Sequence, residues 1–189
     1  LKAEDVIAAG FDEIQHINQL MLNFLVKPDT DTRTLDRFYL PAKQVADLDL
    51  QSKAVQDFIR LLKSHNVTVD PTLATFDFLK KTDGTVGEPW RAIVTHLPPD
   101  IQRAYARAEL DIPDEATAER YAKSYAKMIE FVGMMYKAGI PVVAGTDELA
   151  GFTLQGELEL LVKAGLTASE ALQVATLNGA RYSNVEQHK

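Results

Sequence analysis

A short apolar run closes on a carboxylate at Pro141-Val142-Val143-Ala144-Gly145-Thr146-Asp147. This pattern is typical of a buried strand with a polar end. The segment before it begins at Pro113-Asp114 and carries an unbroken three-four repeat of apolar and aromatic side chains, which predicts a long helix ending at Gly139. A helix that runs directly into a buried strand indicates a parallel sheet, because parallel neighbours need a helical crossover between them.

The same arrangement occurs twice more along the chain. Residues 2–9 have a helical pattern that stops at Gly10, and Glu13-Ile14-Gln15-His16-Ile17 follows as a short strand. Residues 52–64 have a second helical pattern, followed by Val67-Thr68-Val69-Asp70. Beyond residue 147 the sequence is helical over 157–164 and again over 167–175, where a capping-box pattern starts the helix. The alternation predicts a helix-rich α/β fold.

Two long connections interrupt this pattern, at residues 25–50 and 76–112. Both are rich in proline, aspartate and threonine. Connections of this length in a compact α/β domain usually cover a site, so we expect them to lie over the functional end of the sheet. No internal boundary is visible, and residues 1–189 are interpreted as one unit.

Composition excludes several classes of function. The chain has 20 Lys and Arg against 27 Asp and Glu, a net charge of −7, and no long basic stretch, which argues against a nucleic-acid partner. It contains no cysteine, so thiolate metal sites and cysteine nucleophiles are ruled out. No apolar run approaches the roughly 20 residues that a membrane-spanning helix needs. The sequence therefore predicts neither a nucleic-acid nor a membrane partner.

Polar side chains close the three predicted strands, at His16, Asp70 and Asp147. In parallel sheets and barrels, reacting groups lie at the carboxyl ends of strands. A histidine and an aspartate supplied there by different strands is a common way to hold a divalent metal. Two structural interpretations compete with this one, since aspartate after a strand often caps a helix and histidine on an apolar strand is often a hydrogen-bonded core residue.

The residues around these positions resemble the amidohydrolase superfamily, most closely its imidazolonepropionase-like and prolidase-like branch. The resemblance is carried by Ala9-Gly10-Phe11-Asp12-Glu13-Ile14-Gln15-His16, by Val142-Val143-Ala144-Gly145-Thr146-Asp147, by Gly156-Glu157-Leu158-Glu159-Leu160-Leu161-Val162-Lys163-Ala164-Gly165-Leu166-Thr167, by Glu170-Ala171-Leu172 and by Ala175-Thr176-Leu177-Asn178-Gly179-Ala180-Arg181. The last three stretches are long and specific. The resemblance implies a partial (β/α)8 TIM-type barrel that covers about strands six to eight and the closing helices.

The resemblance also implies roles for individual residues. His16 corresponds to the metal-binding histidine of the sixth strand, and Asp147 to the aspartate of the eighth strand that binds metal and accepts a proton from the attacking water. Asp70 and Thr72, at the end of the seventh strand, are weaker substrate-binding candidates, and Asp70 before a proline also fits the favoured role of shaping the turn. His96, in the second long connection, is a further weak substrate candidate.

The family's remaining metal ligands have no counterpart in these 189 residues. They are a His-x-His pair on the first strand, a lysine on the fourth and a histidine on the fifth, and a complete barrel of this type needs about 250 residues. The resemblance thus implies a C-terminal fragment of a metal-dependent, metallopeptidase-like hydrolase. The parent would cleave an amide or peptide C–N bond with a water activated by a divalent metal, in the first place zinc. We expect the isolated chain to hold no metal tightly and to be inactive.

An alternative belongs to a different class of function. A partial sheet exposes strand edges, and such edges tend to pair with another chain. On this interpretation the chain is a non-catalytic α/β association domain that forms a homo-oligomer or a swapped assembly.

Overall fold

The computed structural model describes residues 2–148 and 151–182, and it confirms a helix-rich α/β fold. The strands are β1 (Glu13–Gln15) and β2 (Thr68–Asp70). The helices are α1 (Ala3–Ala8), α2 (Ile17–Leu25), α3 (Asp36–Gln44), α4 (Lys53–Ser64), α5 (Pro99–Tyr105), α6 (Glu115–Lys137), α7 (Thr153–Lys163), α8 (Ala168–Gln173) and α9 (Gly179–Tyr182). A π-helical turn, Val174–Asn178, joins α8 to α9.

The sheet is small and parallel. In its register Ile14 lies beside Val69, and on the other side of β2 an isolated parallel bridge joins Val69 to Val142. The three extended segments therefore lie side by side in chain order. The strand predicted over residues 141–147 is reduced to this single bridge, because the backbone N–H of Gly145 donates to the Asp70 side chain and not to a neighbouring strand.

One face of the sheet is buried against the helices and the other is polar. Ile14, Val69 and Val142 belong to the hydrophobic core, whereas Glu13 and Gln15 are exposed on the opposite face. The predicted long helix α6 is confirmed and packs in the core through most of its apolar repeat, whereas Ala122 of that repeat is exposed. The buried members are Tyr121, Tyr125, Met128, Ile129, Val132 and Met135. The core therefore fixes which face of each strand is free for other contacts.

The two long connections contain more helix than the sequence predicts. Residues 25–50 include α3, which packs against α2 and α6, and residues 76–112 include α5 and several 3₁₀ turns. The pattern misses α3 because its mean hydropathy is low and Pro41 lies inside it. Pro41 has no N–H to donate to the carbonyl of Arg37, four residues earlier. The side-chain amide of Asn18, on α2, donates to that carbonyl instead, at 3.2 Å.

Within residues 2–148 and 151–182, no helix is long and apolar enough to cross a bilayer.

Candidate active site

Left-handed backbone marks the carboxyl end of each extended segment. The φ angle is 69° at His16, 45° at Thr72 and 47° at Asp147. For residues with a Cβ atom this conformation costs about 1–2 kcal/mol, less for aspartate, whose short polar side chain tolerates it. Such strain persists only where the surrounding structure enforces it, and it concentrates at functional sites. Three of the predicted site residues, His16, Thr72 and Asp147, therefore have a strained backbone conformation.

His16 contacts four other residues. Its backbone N–H donates to the carbonyl of Asp70 at 2.8 Å, which continues the β1–β2 ladder by one step. Its Nδ1 lies 2.8 Å from the hydroxyl oxygen of Thr72, and its Nε2 lies 3.7 Å from Oδ2 of Asp147. The ring also makes an edge contact with Phe76, at 5.9 Å between centroids. The structure thus brings His16 and Asp147 together from separate segments, as the sequence predicts.

Asp70 acts as a clamp between two loops. Its Oδ1 accepts hydrogen bonds from the backbone N–H of Gly145, at 2.9 Å, and of Thr72, at 3.2 Å. Burial raises the pKa of Asp70, and the two N–H donors and the nearby His16 act in the opposite direction. A Cβ atom on Gly145 would lie only 1.9 Å from Oδ2 of Asp70, so this approach requires glycine. The geometry favours the turn-shaping role of Asp70, and its substrate-binding role stays a prediction.

Glu157, on α7, is a site residue that the sequence reasoning missed. Its side chain is fully buried, and Oε2 accepts the backbone N–H of Ala74 at 2.7 Å. Burial raises the pKa of this carboxyl to about 8. Glu157 therefore holds loop 71–75, which carries Thr72, against α7. A signal was present in the sequence: Glu157 shares a helical face with Leu160 and Leu161, where an apolar side chain is the usual choice.

A cavity of about 180 Å³ opens beside the His16–Asp147 pair. It is lined by His16, Asn18, Gln19, Arg37, Phe38, Thr75, Phe76, Phe78 and Asp147. Thr72 contacts the imidazole from outside this lining, and His96 lies on an exposed 3₁₀ turn away from it. The substrate roles of Thr72 and His96 stay predictions.

Comparison with known proteins identifies the family. A family model described as "Amidohydrolase family" matches residues 37–189, which is most of the chain. The chain belongs to the amidohydrolase family. The matched range contains Asp70, Thr72 and Asp147, whereas His16 precedes it. No curated protein and no solved structure matches this amidohydrolase chain.

Members of this family generally use divalent metals. The Nε2 of His16 and the Oδ2 of Asp147 are the donor types that zinc and related ions accept. The hydrogen bond between Nδ1 and Thr72 is the contact that orients a metal-binding imidazole and leaves Nε2 free. Within residues 2–148 and 151–182, no group of three or more His, Cys, Asp or Glu side chains is placed to hold a metal. His16 and Asp147 therefore fit a metal as two ligands of a site that needs at least one more protein ligand.

Proposed function

We propose that the chain is the C-terminal part of a metal-dependent hydrolase barrel of the imidazolonepropionase-like and prolidase-like branch. On this proposal His16 and Asp147 are two ligands of a catalytic zinc site, and the parent enzyme cleaves an amide or peptide C–N bond. The observation that carries the proposal is the meeting of His16 and Asp147, 3.7 Å apart, on left-handed backbone at the ends of neighbouring segments.

Each residue of the site has a definite task in this proposal. The bound metal would lower the pKa of a coordinated water and polarise the substrate carbonyl. Asp147 accepts the proton of the attacking water, and its side chain, 64% exposed, is accessible from the cavity. The Thr72 hydroxyl fixes the His16 ring, and Asp70 holds the backbone of Gly145, two residues before Asp147.

Two features of the sheet support a partial barrel. The extended segments lie in chain order, β1 next to β2 and β2 next to Val142, as consecutive strands of a (β/α)8 barrel do. Glu13 and Gln15 lie on the face opposite the helices, which in a closed barrel is the inner face. The proposal assigns the remaining metal ligands, a His-x-His pair, a lysine and a histidine, to strands outside this chain.

Zinc content after dialysis tests the proposal. A catalytic zinc site uses about three protein ligands and a water, so two ligands hold the metal weakly. We expect the chain to retain far less than one equivalent of zinc after dialysis. Zinc added in excess should bind in a way that His16→Ala abolishes and His96→Ala, the matched control, does not. Retention of nearly one equivalent would contradict a two-ligand site, and binding that survives His16→Ala would contradict the assignment of His16.

The second candidate function is association through the sheet edge. Among the described residues, β1 pairs only with β2, so its other edge carries backbone groups without a strand partner. Such an edge favours pairing with a second copy of the chain. Light scattering over a range of concentrations tests this second function, since a monomer at all concentrations would contradict association.

A further inference from the structure

We propose that Thr75 and Tyr105 are positioning residues that hold Asp147 in the left-handed conformation in which its carboxylate faces His16. Each of the two donates a side-chain hydrogen bond to a residue directly before or after Asp147 in the chain. Their importance for metal binding rests on the proposed function, because that function makes Asp147 a metal ligand.

Asp147 lies beyond the part of its segment that strand pairing fixes. The N–H of Val143 donates to the carbonyl of Val69 at 3.0 Å, whereas the N–H of Gly145 donates to a side chain, that of Asp70. Asp147 follows two residues later, with a φ angle of 47° and an exposed side chain. Left-handed backbone at a residue with a Cβ atom persists only where its surroundings enforce it. The side chains that contact this loop are therefore the groups that can hold Asp147.

Thr75 holds the peptide group that precedes Asp147. Its hydroxyl donates to the carbonyl oxygen of Thr146 at 2.5 Å. That carbonyl belongs to the peptide plane on the amino side of Asp147, and the rotation of this plane about the N–Cα bond is the φ angle. Thr75 is itself restrained, because the N–H of the preceding Ala74 donates to the buried carboxyl of Glu157 at 2.7 Å. The hydroxyl is thus supplied from a fixed position.

Tyr105, at the end of α5, holds the residue that follows Asp147. Its hydroxyl donates to Oε2 of Glu148 at 3.0 Å. Its ring packs on the ring of Trp90, with 4.5 Å between centroids. Trp90 is buried and ends a 3₁₀ turn that packs against α7. Packing therefore fixes the tyrosine ring and directs its hydroxyl to Glu148.

The two hydrogen bonds act on opposite sides of Asp147. One hydrogen bond contributes a free energy of the same order as the cost of left-handed backbone at one residue, so the loss of either bond changes how often Asp147 adopts this conformation. The bond from Tyr105 is exposed, whereas the bond from Thr75 is partly buried and should contribute more. A ligand binds more weakly by the fraction of molecules that hold the competent conformation. Both residues therefore affect zinc affinity through Asp147.

Backbone NMR of the metal-free chain tests the positioning directly. The carbon chemical shifts of Asp147 distinguish left-handed from extended backbone. We expect Thr75→Val, and to a smaller extent Tyr105→Phe, to move these shifts away from left-handed values, whereas Thr75→Ser keeps the hydroxyl and should leave them unchanged. Thr85→Val is the matched control, because it removes a hydroxyl-to-carbonyl hydrogen bond of 2.5 Å elsewhere in the connection that contains Tyr105. Unchanged Asp147 shifts in the double variant Thr75→Val/Tyr105→Phe would overturn the inference.

Zinc affinity of the same variants separates positioning from a general loss of stability. Thr75→Val should weaken zinc binding about fivefold and Tyr105→Phe about twofold, and Thr75→Ser and Thr85→Val should bind as wild type does. When Asp147→Ala is already present, Thr75→Val should weaken zinc binding no further, because the hydroxyl acts through Asp147. An equal loss of affinity with and without Asp147→Ala would overturn the inference.

The two experiments keep this inference separate from the proposed function. If wild type binds no zinc while the Asp147 shifts respond to Thr75→Val, the proposed function fails and the positioning of Asp147 stands. If zinc binds through His16 and Asp147 but neither Thr75→Val nor Tyr105→Phe changes the Asp147 shifts or the affinity, the metal site stands and the positioning fails.

Discussion

The two ends of the small sheet use the same unusual backbone conformation with different residues. Before each extended segment, the residue that ends the preceding helix is left-handed: Gly10 with φ 91°, Asn66 with φ 52° and Gly139 with φ 82°. Glycine and asparagine adopt this conformation at little cost, and it is an ordinary way to end a helix. After the segments, the same conformation falls on His16, Thr72 and Asp147.

On the proposed function, this difference separates backbone strain that ends a helix from backbone strain at the metal site. At the amino ends, a glycine or asparagine, which adopts positive φ at little cost, connects the helix to the strand. At the carboxyl ends, the same conformation falls on His16 and Asp147, which have metal-binding side chains, and on Thr72, which hydrogen-bonds to the His16 ring. Glycine would adopt this φ at lower cost. Asp70 and Glu157 stabilise these strained positions through their hydrogen bonds to Gly145 and Ala74.

The largest effect on stability is expected for Glu157, whose buried side chain holds loop 71–75 at the carboxyl end of β2. Its pKa in the folded protein, about 8, lies above its ordinary value of 4.5. The neutral carboxyl therefore favours folding. This contribution is fully present below about pH 4.5 and is lost as the pH rises through about 8, by an amount on the order of 5 kcal/mol. Urea unfolding should show wild type losing stability between pH 5 and pH 9 relative to Glu157→Gln.

Glu159→Gln provides the control for this experiment. Glu159 lies on the same helix and is exposed, so its replacement should leave the pH dependence of wild type unchanged. Parallel pH profiles for wild type and Glu157→Gln would contradict the buried, proton-binding role of Glu157.

A smaller loss of stability is expected when the hydrogen bond between Gly145 and the Asp70 side chain is disrupted. Gly145→Ala places a methyl group 1.9 Å from Oδ2 of Asp70, so the hydrogen bond to Asp70 and the backbone near Asp147 must shift. We expect a loss of about 2–3 kcal/mol in the free energy of unfolding. Gly179→Ala, with no heavy atom within 4 Å of the new methyl, should cost nothing. Equal stability of the two variants would show that the Asp70 clamp is not tight.

Two substitutions with the smallest expected effects on stability compare the two ends of the sheet directly. Asp147→Gly relieves left-handed strain at an exposed side chain and should raise the free energy of unfolding by about 0.5–1 kcal/mol. Gly10→Ala introduces the same kind of strain where a new methyl meets no atom within 4 Å, and should lower it by about 1 kcal/mol. Thermal or urea unfolding measures both. Changes of the same sign would contradict the distinction between the two ends.

The sequence predicts this fold best where one local pattern dominates. The α6 repeat, the Thr167–Glu170 capping box and the order of helix and strand are confirmed, because each depends on residues close in sequence. The helix α3 is missed because its Pro41 is compensated by Asn18, a residue distant in sequence. The local pattern does not contain such a contact.

The same distinction between local patterns and distant contacts applies to the prediction of the site residues. His16 and Asp147 are predicted because strand ends in a parallel sheet meet at one edge. Glu157 is not predicted, since its role depends on a hydrogen bond to loop 71–75, which is distant from it in sequence.

The most direct test of the central claim is an NMR titration of the His16 imidazole nitrogens with zinc. The account predicts that Nδ1 remains hydrogen-bonded to Thr72 while the Nε2 signal shifts progressively with weak binding, and that Asp147→Asn weakens this binding further. Zinc coordination at Nδ1 with loss of the hydrogen bond to Thr72, or an Nε2 signal that does not respond to zinc, would contradict the claim that His16 and Asp147 form part of a hydrolase metal site.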